Sequence, residues 1–233
     1  NNFKYEEFFV GKTELPAFCQ ELLPVLERHY QVERQEFEED AYLPPKPEYE
    51  LYLDAPDRQT VTCELFAVYG EKKYNVYAKP MILDNRAEWE ELKTRQKVQG
   101  WFSNVDPQKK QMVIVGDEEK LYYLLAEGME ALSEVGDVYV SDELKSMEVR
   151  QSPPISVGVS LKGDFLELTL ESPEMPLSEL VEILSAYQRK RKFFRLKNGD
   201  FLSMEEDGLA VLTQMQEGMG ISAADWQSGN VRL

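Results

Sequence analysis

The chain has 233 residues, of which 42% are hydrophobic and 30% charged, and its 26 Lys and Arg stand against 43 Asp and Glu for a formal charge of −17. That length supports a substantial core in one large domain or two small ones, while the acidic excess excludes non-specific nucleic-acid binding over the whole surface. No apolar run approaches the roughly 20 residues that span a bilayer, and Cys19 and Cys63 are too few and too far apart for a disulfide framework.

The chain opens on Asn1 rather than Met, so it is expected to begin inside a longer polypeptide. Lys4, Glu6 and Glu7 interrupt the first aromatics, where a secretory signal needs an apolar run. Gly11-Lys12-Thr13 looks like the end of a phosphate loop, but Glu6 stands where that motif requires a glycine. Thr13 is therefore read as the cap of a helix over 14–30, with Leu15, Phe18, Leu22, Leu23 and Leu26 as its apolar side. Pro24 demands a kink or a restart in it. The acidic run 33–40 is read as solvated chain, because carboxylates bind a cation only where they converge.

Prolines 44, 45 and 47 mark a boundary. Beyond it, 48–54, 60–69 and 72–78 read as three strands of an antiparallel meander with turns at 55–58 and 70–71; Tyr49, Leu51 and Leu53 alternate with polar residues in the first, as do Val61, Cys63 and Leu65 in the second. Asn85 and Glu88 form a capping box for a weakly amphipathic helix anchored by Trp89 and Leu92. A short strand at 112–115 follows. Asp117 then opens a helix with the stripe Leu121, Leu124, Leu125, Met129 and Leu132, and after Gly136 comes a strand at 138–140. This strand-helix-strand order permits a parallel crossover.

Pro153-Pro154 is the second boundary. Ile155, Val157, Val159 and Leu161 alternate up to the turn 162–164, and 165–170 returns as the second strand of a hairpin. A helix from Leu177 carries Leu180, Val181, Leu184 and Tyr187 on one face. It ends in Arg189, Lys190, Arg191 and Lys192, whose charge suits the negative end of the helix dipole. Two short apolar runs around Asn198-Gly199 make another hairpin. Ser203 and Glu206 cap a last helix with Leu209, Leu212, Met215 and Met219 inward, stopped by Gly218 and Gly220. The fold class is α+β, with mixed or antiparallel sheets and packed helices in two subdomains. Residues 1–152 hold helix, strand meander, helix and strand-helix-strand; residues 153–233 hold hairpin, helix, hairpin, helix.

The chemistry-bearing residues are sparse. His29 is the lone histidine; on one straight helix it would lie roughly 15 Å from Cys19, too far for a thiolate–imidazole pair. Two cysteines and one histidine do not complete a zinc site, and no nucleophile-elbow pattern occurs. No catalytic residue, metal or cofactor is assigned, and both cysteines are read as small core hydrophobes in a reduced, cytoplasmic setting.

The basic stretch is the candidate binding site: Arg189, Lys190, Arg191, Lys192, Arg195 and Lys197 put six cations into nine residues with no acid among them. Removing six positive charges from −17 leaves −23. If Phe194 and Leu196 face the core, alternation sends Phe193, Arg195 and Lys197 outward together. An exposed aromatic among cations can stack on a base while the cations neutralise phosphates. The plain alternative is a helix end whose cations pair with neighbouring acids.

The order Leu184-Ser-Ala-Tyr187, basic cluster, Phe193-Phe194, Arg195-Leu-Lys-Asn-Gly-Asp-Phe-Leu202 resembles the bacterial Swi/Snf helicase-associated domain. Tyr49-Glu-Leu-Tyr-Leu-Asp54 with the strand ending at 66–70, and Val138-Tyr-Val-Ser-Asp-Glu143 leading to Pro153-Pro-Ile-Ser-Val-Gly-Val159, agree with that family in order. The resemblance implies a non-catalytic region of a bacterial ATP-dependent DNA helicase or translocase, with a zinc-binding SWIM module upstream and a two-lobed ATPase downstream in the parent. The implied partners are that motor and DNA. The rivals are a module docking its basic stretch on an acidic protein and, further off, a small hydrolase.

Overall fold

The structure is a computed structural model that describes residues 7–38, 44–78, 86–151, 155–205, 207–222, 225–226 and 231–232. Its elements begin with α1 (Leu15–Ala17), a π-helical turn (Phe18–Leu22) and α2 (Leu23–His29), followed by β1 (Glu48–Asp57), β2 (Thr60–Tyr69) and β3 (Lys72–Asn75). Next come α3 (Glu88–Gln99), β4 (Asn104–Asp106), β5 (Gln111–Val115), α4 (Glu118–Tyr123), a second π turn (Leu124–Gly128), α5 (Met129–Ser133), β6 (Asp137–Val140), α6 (Asp142–Lys145) and β7 (Val149–Arg150). The chain closes with β8 (Ser156–Lys162), β9 (Phe165–Glu171), α7 (Leu177–Gln188), β10 (Phe193–Arg195), β11 (Phe201–Ser203), α8 (Asp207–Met219) and β12 (Val231–Arg232). The fold is α+β, with mixed and antiparallel sheets and packed helices in two units. The expected division at Pro153-Pro154 lies outside the described residues, as do the capping residues Asn85 and Glu206. Among the described residues no helix is long and apolar enough to cross a membrane.

The first unit comprises Asn1–Asp54, Val61–Val115 and Glu130–Val140. Its sheet has the order β4-β5-β2-β1-β6, with β3 also paired to β2. Alternation on β1 and β2 buries Leu51, Leu53, Val61, Cys63, Leu65 and Ala67. The turn after β1 lies later than expected, at Arg58–Gln59: Ala55 is still buried, and the Asp57 carboxylate accepts the Gln59 N–H at 2.7 Å. β6 runs parallel to β1, pairing Tyr52 with Tyr139. Gly136 permits that approach, since a Cβ there would lie 2.1 Å from the Tyr49 carbonyl oxygen. On the other side of the sheet from the buried row, Tyr52 stacks on Tyr139 at 4.8 Å. The Lys73 ammonium lies 4.2 Å from the Tyr52 ring centroid and 2.5 Å from Glu50.

The first helix departs from its sequence reading in two ways. Thr13 is not its cap; Glu14 takes that position, and its carboxylate accepts the Gly11 N–H at 2.9 Å. Pro24 falls, as expected, at a restart: it is the second residue of α2, which continues from a π turn without a non-helical break, since Leu22 is itself in the right-handed helical region. The π turn just before it closes with Leu23 N–H bonded to Phe18 O. That wider turn shifts the helical register, so Leu22 is 50% exposed while Cys19 and Leu23 are buried.

The second unit comprises Ala55–Thr60, Gly116–Met129 and Ser141–Leu233. It holds two three-stranded sheets, β10-β11-β7 and β12-β9-β8. Leu168 and Leu170 of β9, Leu180, Ile183 and Leu184 of α7, and Leu209 of α8 pack into one core with Leu196, Leu202 and Trp226. Met219, expected to face inward, is 47% exposed at the helix end, and Gly220, at φ +67°, ends that helix.

Candidate functional site: the basic helix end

Apolar side chains at 180, 181, 183 and 184 bury one side of α7 against the core, which fixes where its C-terminus emerges. The helix closes on a Schellman motif: Lys190 N–H bonds to Tyr187 O at 2.8 Å and Arg191 N–H to Ala186 O at 3.2 Å. Lys190 holds the left-handed position at φ +57°, where glycine is the usual occupant. The reversal turns Arg189, Lys190, Arg191 and Lys192 into an exposed knuckle.

The candidate residues then divide. Among the described residues, the side chains of Arg189, Lys190, Arg191 and Lys197 make no hydrogen bond or ion pair and are exposed. Lys192 is tethered: its ammonium donates to the Tyr123 hydroxyl at 3.0 Å, and that bond holds its pKa above the ordinary lysine value. Arg195 is consumed internally, with its guanidinium 3.3 Å from Glu118 Oε1 and donating to the Arg58 carbonyl; its side chain is 14% exposed.

Phe193 also departs from the outward position that alternation assigns it. It is half-buried, stacked on Tyr122 at 4.6 Å with 18° between the rings and set edge-on to Phe201 at 5.6 Å. The parity is as expected, for Phe194 and Leu196 join the core. The second face of β10 is partly covered by Tyr122 and Glu118 of α4. Asp117 starts that helix by accepting the Lys120 N–H at 3.0 Å.

The Asn198-Gly199-Asp200 turn is a structural hub whose members the sequence reading did not assemble. Asp200 is buried, yet its carboxylate meets Arg150 at 3.0 Å, Arg58 at 4.0 Å, the Asn198 amide at 2.8 Å and the Glu148 N–H at 3.3 Å. Buried Glu179 of α7 accepts the Lys197 N–H at 2.8 Å. Gly199 has φ +93° and lies against Arg58, so a side chain there is strained twice over. The one legible signal was a carboxylate wedged between Gly199 and Phe201. Its partners Arg58 and Arg150 lie too far along the chain for sequence patterns to join them to it.

Two other places bear on chemistry. Cys63 is fully buried, and burial, with the nearby Glu64, pushes its thiol pKa up, away from nucleophilic character. In the first unit a cleft of about 720 Å³ is lined by Tyr77, Arg86, Trp89, Glu91 and Arg95 among others. Two of its charged lining residues are paired with each other: Arg86 grips Glu91 through two bonds of 2.9 and 2.5 Å, and Tyr69 donates to Glu91 at 2.7 Å.

A comparison with protein families matches residues 1–233 to the family described as "Bacterial SNF2 helicase associated". No curated protein and no solved structure matches the chain.

Proposed function

Because the chain belongs to the bacterial SNF2 helicase-associated family, we propose that it is a non-catalytic accessory region serving an SNF2-type, ATP-driven DNA translocase motor in the same polypeptide, and that its basic knuckle meets DNA phosphates. Four exposed cations whose side chains make no hydrogen bond or ion pair among the described residues, Arg189, Lys190, Arg191 and Lys197, carry this reading. They stand on a chain of −17, where most surface would repel a polyanion. Such a patch gives an anchored, oriented contact and not an all-over attraction. With Phe193 stacked on Tyr122, the contact is to the backbone and not to bases. ATP hydrolysis belongs to the motor. This chain would position that motor on its track or set when it engages.

The test is binding of a short duplex DNA at low salt, with and without Arg189→Ala, Lys190→Ala and Arg191→Ala together. The parent chain should bind and the triple variant should lose most of that affinity while melting at a similar temperature. Absence of binding by the parent chain at low salt would remove the DNA contact and leave docking on the motor or another acidic protein.

A further inference from the structure

Among the described residues strand β8 is an edge strand, with β9 as its one paired neighbour in the order β12-β9-β8. All seven of its residues are exposed, and its apolar members are the most notable: Val157 at 41%, Val159 at 63% and Leu161 at 74%. The register pairs Val157 with Leu170 and Val159 with Leu168. Cross-strand partners lie on one face, so this stripe prolongs the same face whose leucines on β9 are buried in the core.

Natural edge strands guard themselves with outward lysines, prolines or bulges. β8 has none in service. Its one charge, Lys162, is drawn onto the other face by Glu167 at 2.6 Å, where Ser160 also donates to that carboxylate at 3.2 Å. Gly158 cannot be a guard either, since a Cβ there would lie 2.3 Å from the Thr169 hydroxyl oxygen. The outer edge therefore keeps a row of backbone donors and acceptors beside an apolar stripe, which suits only an extended strand with apolar residues at alternate positions.

We propose that this occupant is β8 of a second copy of the chain, paired antiparallel about a two-fold axis at Val159. Reversing Ser156-Val-Gly-Val-Ser-Leu-Lys162 on itself sets Val157 against Leu161 and Val159 against Val159. Gly158 then meets Ser160, and Ser156 meets Lys162, so no like charges are opposed along the strand. β8 itself holds no Asp or Glu, so along this strand two copies of a −17 chain pair with no acid facing acid. An isologous contact of this kind closes at the dimer. Three side chains per copy fall well short of the roughly 1,000 Å² of a stable interface, so the dimer is weak and depends on concentration.

Sedimentation of the chain between about 10 μM and 1 mM, the range where such small interfaces saturate, should show the average mass climbing from monomer toward dimer. Val159→Lys sets two ammonium groups at the axis and should abolish the climb; position 159 is exposed, so melting should be unchanged. As a second readout, Val159→Cys should give a disulfide-linked dimer under mild oxidation at least tenfold faster than Val115→Cys, which places a thiol at another exposed position, 65% exposed, outside β8. The native thiols, 1% and 0% exposed, stay silent. A mass that stays monomeric throughout, a dimer that survives Val159→Lys, or equal cross-linking at 159 and 115 would each overturn the proposal.

Discussion

Lys190 occupies a backbone conformation that costs a side-chain-bearing residue about 1 kcal/mol relative to glycine. Lys190→Gly should therefore raise stability by about 1 kcal/mol in a thermal or urea melt, less the entropy glycine adds to the unfolded chain. The same change removes an exposed cation, so greater stability should come with weaker DNA binding. A second residue-scale test concerns acid. Glu50 has its pKa held below the ordinary value, first by its hydrogen bond from Lys73 and then by that from Tyr52. A carboxylate depressed in the folded state adds stability above its unfolded pKa of about 4.3 and loses it as pH falls through the lower folded value. Glu50→Gln should flatten the acid limb of a plot of melting temperature against pH, below about pH 5, and leave the shape near neutrality unchanged.

At the scale of elements, α3 is instructive because so little of it is apolar. Its buried residues are Val98 and Glu91, and Glu91 is neutralised by buried Arg86. Removing one partner of such a pair strands the other charge, so Glu91→Gln should destabilise the fold by about 3 kcal/mol, measured in a urea melt. The sequence made much of this scale legible. The hairpin β8–β9, the helix α7 and the strands β1 and β2 follow from alternation and three-and-four spacing. Capping by Asp117 was visible in the same way, because its partner Lys120 is three residues away. What failed has a common cause. Periodicity says which side chains share a face, not what lies against it. Phe193 and Arg195 do share a face, but it is partly covered by residues 118–123. Leu22 fell on the wrong side once a π turn changed the count, and β4 escaped notice because Asn104-Val105-Asp106 has one apolar residue.

For the whole molecule, charge decides the conditions under which the proposed function can be seen. A −17 body repels DNA at long range, so attachment through three or four cations must be short-range and salt-sensitive. Each phosphate that a cation neutralises steepens the fall of log affinity with log salt by about 0.9. Substituting Arg189, Lys190 and Arg191 should thus flatten that slope by about 2 to 3, a change that a merely misfolded variant would not give. Family membership was legible because its motifs are spread along the chain, and the turn at Asn198-Gly199-Asp200 now has a physical account. It secures the platform from which the knuckle projects.

That platform carries a hazard for interpretation. Asp200 is the shared counter-ion of Arg58 and Arg150. Neutralising it would loosen the turn and take from Arg58 the carboxylate beside it, close to the knuckle's own hairpin, while Arg150 keeps Glu174 at 3.1 Å. A polyanion would find such a surface more attractive. Damage to the scaffold and apparent gain of affinity would then arrive together, and a screen scored on retention by heparin would select the injured protein as the improved one.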